Sequence, residues 1–97
     1  MTGSNQLRLS GFLRERATLR YTPAGIPMLN LVIEHQSEQQ EAGQNVKVQC
    51  RLAAIAAGKM TERLMQWPET QPCIVSGFLA QAGRYRNEVM LHITAIE

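Results

Sequence analysis

The sequence predicts a small, mainly β protein whose sheet coils into a barrel, with one short helix between the third and fourth strands. Apolar and polar residues alternate with a period of two in several short segments that are separated by turn residues, as is typical of half-buried strands. In two of these segments a glycine, Gly11 or Gly77, takes an inward position where a side chain would otherwise fill the core. Inward glycines indicate strands that bend sharply, as at the corner of a barrel.

The first half of the chain predicts three strands and one short extended piece. The first strand covers Leu7–Leu13. A short extended piece, Thr18–Thr22, then runs into a turn that two prolines and a glycine predict. The second strand covers Met28–His35, the polar segment Gln36–Asn45 is interpreted as a hairpin loop, and the third strand covers Val46–Arg51 with a basic outer face.

The second half predicts the only helix and two further strands. Met60, Leu64 and Trp67 share one apolar stripe of a helix over Gly58–Gln66. We interpret Trp67 as a packing residue rather than a platform for base stacking. The fourth strand covers Cys73–Leu79 and the fifth covers Glu88–Ile96.

Five short strands with one helix between the third and fourth match the OB-fold, a five-stranded Greek-key barrel. The 97 residues then form one OB-fold domain, with the helix closing the open end of the barrel. A packed α+β sandwich is the alternative architecture. It suits the two inward glycines less well, because they favour a sheet that coils and closes.

The charge is small in total but unevenly distributed. Ten Lys and Arg against eight Asp and Glu give a formal net charge of +2, which does not by itself indicate a nucleic-acid partner. Four arginines precede Tyr21 with one acid, Glu15, whereas residues 34–41 contain three acids and no Lys or Arg. This segregation predicts a basic face and an acidic loop.

The sequence shows neither a secretory signal nor a segment of transmembrane length, so we expect a cytoplasmic protein without membrane contact. Cys50 and Cys73 lie far apart, and each falls in an apolar strand pattern. We therefore expect two buried, reduced thiols and no disulfide.

No catalytic or metal site is predicted. His35 and His92 are isolated from other metal-ligating residues, and we expect both at the surface or in an interface. The sequence contains no nucleophile elbow and no glycine-rich phosphate-binding loop. We expect a protein that is not an enzyme and that holds no cofactor.

A nucleic-acid-binding function is better supported. An OB barrel binds oligonucleotides on the outer face of its second and third strands and on two neighbouring loops. Single-strand binding there requires cations for the phosphates and flat rings for the bases. The candidate DNA-binding residues are Arg14, Arg20, Tyr21, Lys47, Arg51, Arg84, Tyr85 and Arg86.

Aromatic residues make up only 5% of the chain, which predicts weak binding of single strands with a strong dependence on salt. Four apolar residues face outward by strand parity, and such side chains are costly unless another surface covers them. We expect them to form the interface of a two-fold dimer. The four residues are Phe12, Val32, Ile74 and Phe78.

Long stretches of the chain, among them LRLSGFL, LRYTPAGIPMLNLVIEHQSEQQEAG and CIVSGFL, resemble the bacterial single-stranded-DNA-binding protein family. Within that family they resemble the branch that acts in the primosome. The resemblance covers nearly the whole chain. It implies a homodimeric OB-fold protein without catalytic activity that binds single-stranded DNA, takes part in replication restart, and binds and stimulates the PriA helicase.

The resemblance also bears on single residues. Arg20, Arg84 and Arg86 match basic positions of the family, whereas Gln44 and Gln49 stand where its pattern has exposed aromatic residues. These two losses again predict weak DNA binding. Alternative functions are a general single-strand-binding core without an acidic tail, a protein–protein adaptor with residual DNA contact, and an OB-type RNA binder.

Overall fold

The computed structural model describes residues 2–84 and 87–97. No helix in this part of the chain is long and apolar enough to cross a membrane. The described residues form six strands and one helix, in chain order β1 (Leu7–Arg14), β2 (Arg20–Tyr21), β3 (Pro27–Glu41), β4 (Gln44–Ala57), α1 (Met60–Gln66), β5 (Cys73–Gln81) and β6 (Val89–Ile96).

The strands close into a barrel. Their order is β1-β5-β6-β4-β3-β2, and an additional pairing of β1 with β3 joins the two sides of the sheet. The strand β4 runs parallel to β6, and every other pair is antiparallel. The predicted five-stranded barrel with one helix is confirmed, and the two-residue strand β2 lies within the predicted extended piece Thr18–Thr22.

Both inward glycines lie where the backbone of another strand comes very close. Residues Leu7 to Gly11 of β1 pair with β5, and from Phe12 onward the same strand pairs with β3. A Cβ atom on Gly11 would lie 2.3 Å from the carbonyl oxygen of Glu34. A Cβ atom on Gly77, at the bulge between β5 and β6, would lie 1.8 Å from the carbonyl oxygen of His92.

The core fills the inside of the barrel, and α1 contributes to it. Leu64 is fully buried, while Met60 and Trp67 pack partly buried against the core, so the predicted apolar stripe is confirmed. The packing interpretation of Trp67 agrees with this position, where its Nε1 donates a hydrogen bond to the carbonyl of Gln71 at 3.1 Å. The helix begins at Met60 rather than at Gly58, because Gly58 has a φ of +72° and forms the preceding turn.

The loop predicted at residues 36–45 is wrong. The strands β3 and β4 continue through this segment and remain paired up to Glu41 opposite Gln44. Ala42 and Gly43 alone form the turn, with φ values of +51° and +76°, as a two-residue hairpin turn requires. We call residues 36–49 the arm, since their strands extend the β3–β4 hairpin away from the buried core.

Two expectations about single residues are also wrong, and both concern the root of the arm. Cys50 is exposed although its parity is inward, because the core ends before this point of β4. His35, expected at the surface or in an interface, is 7% exposed within the single chain. Its Nδ1 donates to the carbonyl of Ser10 at 2.7 Å and its Nε2 lies 2.8 Å from the hydroxyl of Ser37.

The other cysteine agrees with expectation. Cys73 is buried and has a free thiol. Burial raises the pKa of the Cys73 thiol, because a thiolate loses solvation inside a protein. The reactive thiolate is therefore disfavoured at this position.

The close approach at Gly77 leads to a stability prediction. We expect Gly77→Ala to lower the free energy of unfolding by about 2 kcal/mol or more, because β5 and β6 must separate to admit a methyl group. Gly3→Ala is the matched control, since a Cβ atom there meets nothing within 4 Å. Urea unfolding followed by circular dichroism measures both, and equal midpoints for the two variants would contradict the prediction.

Candidate nucleic-acid interface

The outer face of β3 and β4 is where an OB barrel binds oligonucleotides. Its side chains alternate with those of the core and continue from the barrel onto the arm, and all but Ile55, which is 8% exposed, are at least partly accessible to solvent. The cross-strand pairs on this face are Asn30 with Ile55, Val32 with Ala53, Glu34 with Arg51, Gln36 with Gln49 and Glu38 with Lys47. None of these ten residues is aromatic, and two cations against two carboxylates leave a formal charge of zero.

Arg20 and Tyr21 lie at one end of this face. The strand β2 pairs with the beginning of β3, with Arg20 opposite Met28. The Nη2 atom of Arg20 donates a hydrogen bond to the side-chain oxygen of Asn30 at 2.7 Å. Tyr21 is 65% exposed, so its ring is available to stack on a base.

Arg84 lies at the other end. The strand β6 runs parallel to β4 with Leu91 beside Ala54, so the loop that precedes β6 projects toward the end where the arm begins. Arg84 is exposed, and no ion pair engages its side chain within residues 2–84 and 87–97. Tyr85 and Arg86, two further candidates, lie outside the described residues.

The centre of the face holds Arg51, whose charge is already matched. Its Nη1 lies 3.0 Å from Oε2 of Glu34, and its Nη2 contacts Oε2 of Glu15. The same Glu34 lies 3.7 Å from Nη2 of Arg14. We call these four residues, Arg14, Glu15, Glu34 and Arg51, the Arg51 cluster.

Arg14 has structural contacts besides the Arg51 cluster. Its Nη1 donates to the backbone carbonyl of Glu69 at 2.8 Å. Its guanidinium lies 5.0 Å from the centre of the Phe12 ring, a distance at which cation–π attraction acts. Arg14 and Arg51 therefore lie close together on Glu34, with two carboxylates that are not among the candidate DNA-binding residues.

Lys47 stands on the arm, exposed and in register with Glu38. Among the candidate cations that the structure describes, Lys47 and Arg84 have no ion pair, and Arg20 has only a neutral partner. These three residues carry the positive charge that remains available to phosphate.

Other arginines of the N-terminal segment are engaged by groups within the chain. The Nη1 atom of Arg16 donates to the backbone carbonyls of Leu64 and Trp67, both at 2.6 Å. Leu64 lies in the last turn of α1 and Trp67 directly follows the helix, where carbonyl groups lack amide partners within the helix. Arg8 pairs with the carboxylate of Glu97 at 3.0 Å. The predicted basic face is thus much reduced.

The four outward apolar residues divide into two groups. Phe12 and Val32 lie on either side of Arg14, which pairs with Val32 across the β1–β3 ladder. Ile74 and Phe78 share the outer face of β5. None of the four belongs to the buried core. Phe78 is 42% exposed and stacks on His92, with ring centres 4.8 Å apart and planes inclined by 13°.

Comparison with known proteins agrees with this architecture. Residues 5–95 match the family described as "Another single-strand binding protein family". The chain belongs to this single-strand binding family. Among its relatives is the replication restart protein PriB of Neisseria gonorrhoeae, which is 36% identical over 97% of this chain and 93% of that protein.

Solved structures of the family share the fold. The PriB protein of Ralstonia solanacearum superposes with a TM-score of 0.86 at 33% identity, and covers 98% of this chain and 97% of its own. The wild-type single-stranded DNA binding protein of Thermus aquaticus gives a TM-score of 0.74 at 27% identity, over all of this chain and 50% of that one. The resemblance to the primosomal branch of the single-strand binding family is confirmed.

Arg16 leads to a prediction that separates structural from binding arginines in this member of the single-strand binding family. We expect Arg16→Ala to cost about 2 kcal/mol of folding free energy, because two carbonyls at the end of α1 lose a charged donor. Arg8→Ala is the control and should cost less than about 0.5 kcal/mol, since its ion pair is exposed. Equal losses in urea unfolding would contradict the assignment.

Proposed function

We propose that this protein is a non-enzymatic accessory factor of DNA replication restart that binds single-stranded DNA weakly along the outer face of β3 and β4. Its membership of the single-strand binding family and the restart function named for its relatives support the proposal. The observation that carries it is the extended face with available cations at both ends. From Asn30 to Glu38 the face covers eight residue steps, roughly 26 Å of strand, which suits a polymer better than a compact ligand.

Weak binding follows from the side chains on this face. Arg20, Lys47 and Arg84 supply the phosphate contacts, and Tyr21 supplies a stacking surface at one edge. Each stacked base contributes on the order of 1–3 kcal/mol, and the five paired positions of β3 and β4 offer no ring. We therefore assign most of the affinity to phosphate contacts, which salt weakens. Tyr85 and Arg86 belong to the proposed site as neighbours of Arg84 in the sequence.

The DNA proposal is tested by removing one available cation. We expect Arg84→Ala to weaken binding of a labelled oligo(dT) roughly three- to tenfold at low salt and to reduce the salt slope by about 0.7, as loss of one phosphate contact on a single strand predicts. Fluorescence anisotropy at several salt concentrations measures both quantities. Arg8→Ala removes the same charge from an arginine paired with Glu97 and should leave affinity within about twofold.

Several outcomes would contradict this proposal. A nanomolar dissociation constant at physiological salt would exclude weak binding. Unchanged binding by Arg84→Ala would remove the loop before β6 from the site. Tighter binding of RNA than of DNA with the same sequence would favour the alternative of an RNA binder.

We further propose a two-fold homodimer in which the outer face of β5 is covered. Support comes from Phe78, a large apolar side chain left 42% exposed on one chain. Sedimentation should give twice the chain mass of 10.9 kDa, and Phe78→Asp should shift the protein toward monomer. Val89→Asp is the control, since Val89 is equally exposed at 48% but lies outside the proposed interface. A wild-type monomer at micromolar concentration would contradict the proposal.

We propose the PriA helicase as the protein partner, on the basis of the restart function named for the relatives, and the cytoplasm as the location. A strand-unwinding assay with and without this protein tests the partnership. Stimulation that persists in Arg84→Ala would favour the adaptor function over a function that depends on DNA contact. An absence of stimulation by the wild-type protein would contradict the partnership.

A further inference from the structure

We propose that Glu15 and Glu34 compete with DNA phosphate for Arg51, and thereby limit how tightly the centre of the face holds a single strand. This inference rests on the proposed DNA-binding function. It assigns the two carboxylates a role in affinity, and it makes the centre of the face a phosphate site that the protein itself occupies.

The geometry of the Arg51 cluster supports this role. The two carboxylates contact different nitrogens of the same guanidinium, Nη1 and Nη2. A phosphate group binds arginine through the same pair of donors, with two oxygens on two nitrogens. One phosphate can therefore replace the oxygens of Glu15 and Glu34 together.

The accessibility of these side chains allows the exchange. The side chain of Arg51 is 49% exposed, that of Glu15 65% and that of Glu34 36%. Ion pairs with this much solvent contact are weak, because water and salt screen them. A phosphate that reaches the guanidinium therefore does not have to break a buried salt bridge.

The backbone at Glu15 has an uncommon conformation. Glu15 has a φ of +50°, in the left-handed region that residues with a Cβ atom rarely adopt. It directly follows β1, at the start of the connection to β2. The carboxylate of Glu15 therefore reaches Arg51 from the connection that leaves β1.

Charge balance gives the expected effect. The Arg51 cluster contains two cations and two carboxylates, a formal charge of zero, whereas Arg20 and Arg84 at the ends of the face are not neutralised. Changing both carboxylates to amides leaves their size nearly unchanged and gives the centre of the face a charge of +2. A phosphate of the bound strand then meets two arginines without internal competitors.

The test is the double variant Glu15→Gln with Glu34→Gln in the full chain, titrated with labelled oligo(dT) at several salt concentrations. We expect affinity to rise roughly three- to tenfold at low salt and no more, because each exposed pair that the phosphate displaces is weak. We expect the salt slope to steepen by about 0.7, as one added phosphate contact on a single strand requires. Addition of Arg51→Gln to this double variant should remove most of the gain.

The matched control is Glu41→Gln with Glu97→Gln. It raises the net charge by the same amount and also frees an arginine, Arg8, from its carboxylate partner, but at a distance from the Arg51 cluster. We expect its affinity to stay within about twofold of wild type. A gain equal to that of the Glu15 and Glu34 variant would show an effect of net charge alone and would overturn the proposal.

The remaining outcomes separate this proposal from the proposed function. In the first outcome the wild-type protein binds DNA, Arg84→Ala weakens this binding, and the Glu15 and Glu34 variant binds with unchanged affinity. Competition is then refuted and the DNA-binding function stands. If the wild-type protein does not bind but the variant does, competition is supported and the native function is refuted. If neither binds, both are refuted. Circular dichroism melts confirm that each variant is folded.

Discussion

The whole barrel depends on one close approach, that of the Gly11 backbone to the carbonyl oxygen of Glu34. Strand β1 must pair with β5 along its first half and with β3 along its second half, and it changes partner at this residue. A Cβ atom in that place would lie 2.3 Å from the Glu34 oxygen, a distance that real Cβ contacts do not reach. The missing side chain therefore permits closure, and closure brings the end of β1 against β3.

This closure also explains why the candidate site contains internal ion pairs. Once β1 lies beside β3, Arg14 comes next to Glu34, and Glu15 at the end of the strand reaches Arg51. The same geometry that assembles the binding face therefore brings acids and bases of different strands together. The balance of free and paired arginines is a product of topology, and a count of charges along the chain does not reveal it.

Periodicity predicted much of the fold from sequence. Three signals reflect local geometry, which neighbouring residues determine. They are the alternation in Leu7–Leu13 and Cys73–Leu79, the inward glycines, and the apolar stripe of α1. The part of the arm in β3, residues 36–41, was missed because its side chains are polar on both faces and show no apolar alternation, whereas Val46 and Val48 in β4 did predict a strand. The pair Ala42–Gly43 was the available signal, since a two-residue turn would have placed Glu34 opposite Arg51.

The candidate site was less predictable for the same reason. Its loops followed from the OB-fold, and Arg20, Tyr21 and Arg84 lie on the expected segments. The partners of Arg14, Arg16 and Arg51 are far away in the sequence and depend on barrel closure. The burial of His35 was not predicted because the alternation of residues along β3 shows which face a side chain is on. It does not show how far along the strand the core extends.

The arm has a consequence for the dynamics of the protein. Its two strands pair only with each other beyond His35, and a two-stranded hairpin without a core is marginally stable in water. The backbone amide hydrogens of the arm therefore exchange with solvent through local opening, whereas those of the barrel exchange only through global unfolding. The buried His35 is hydrogen-bonded to Ser10 on one side and Ser37 on the other, and it lies at the boundary between the arm and the barrel. A partner that binds the arm must therefore offset the conformational entropy that the arm loses on becoming ordered, while the barrel stays unchanged.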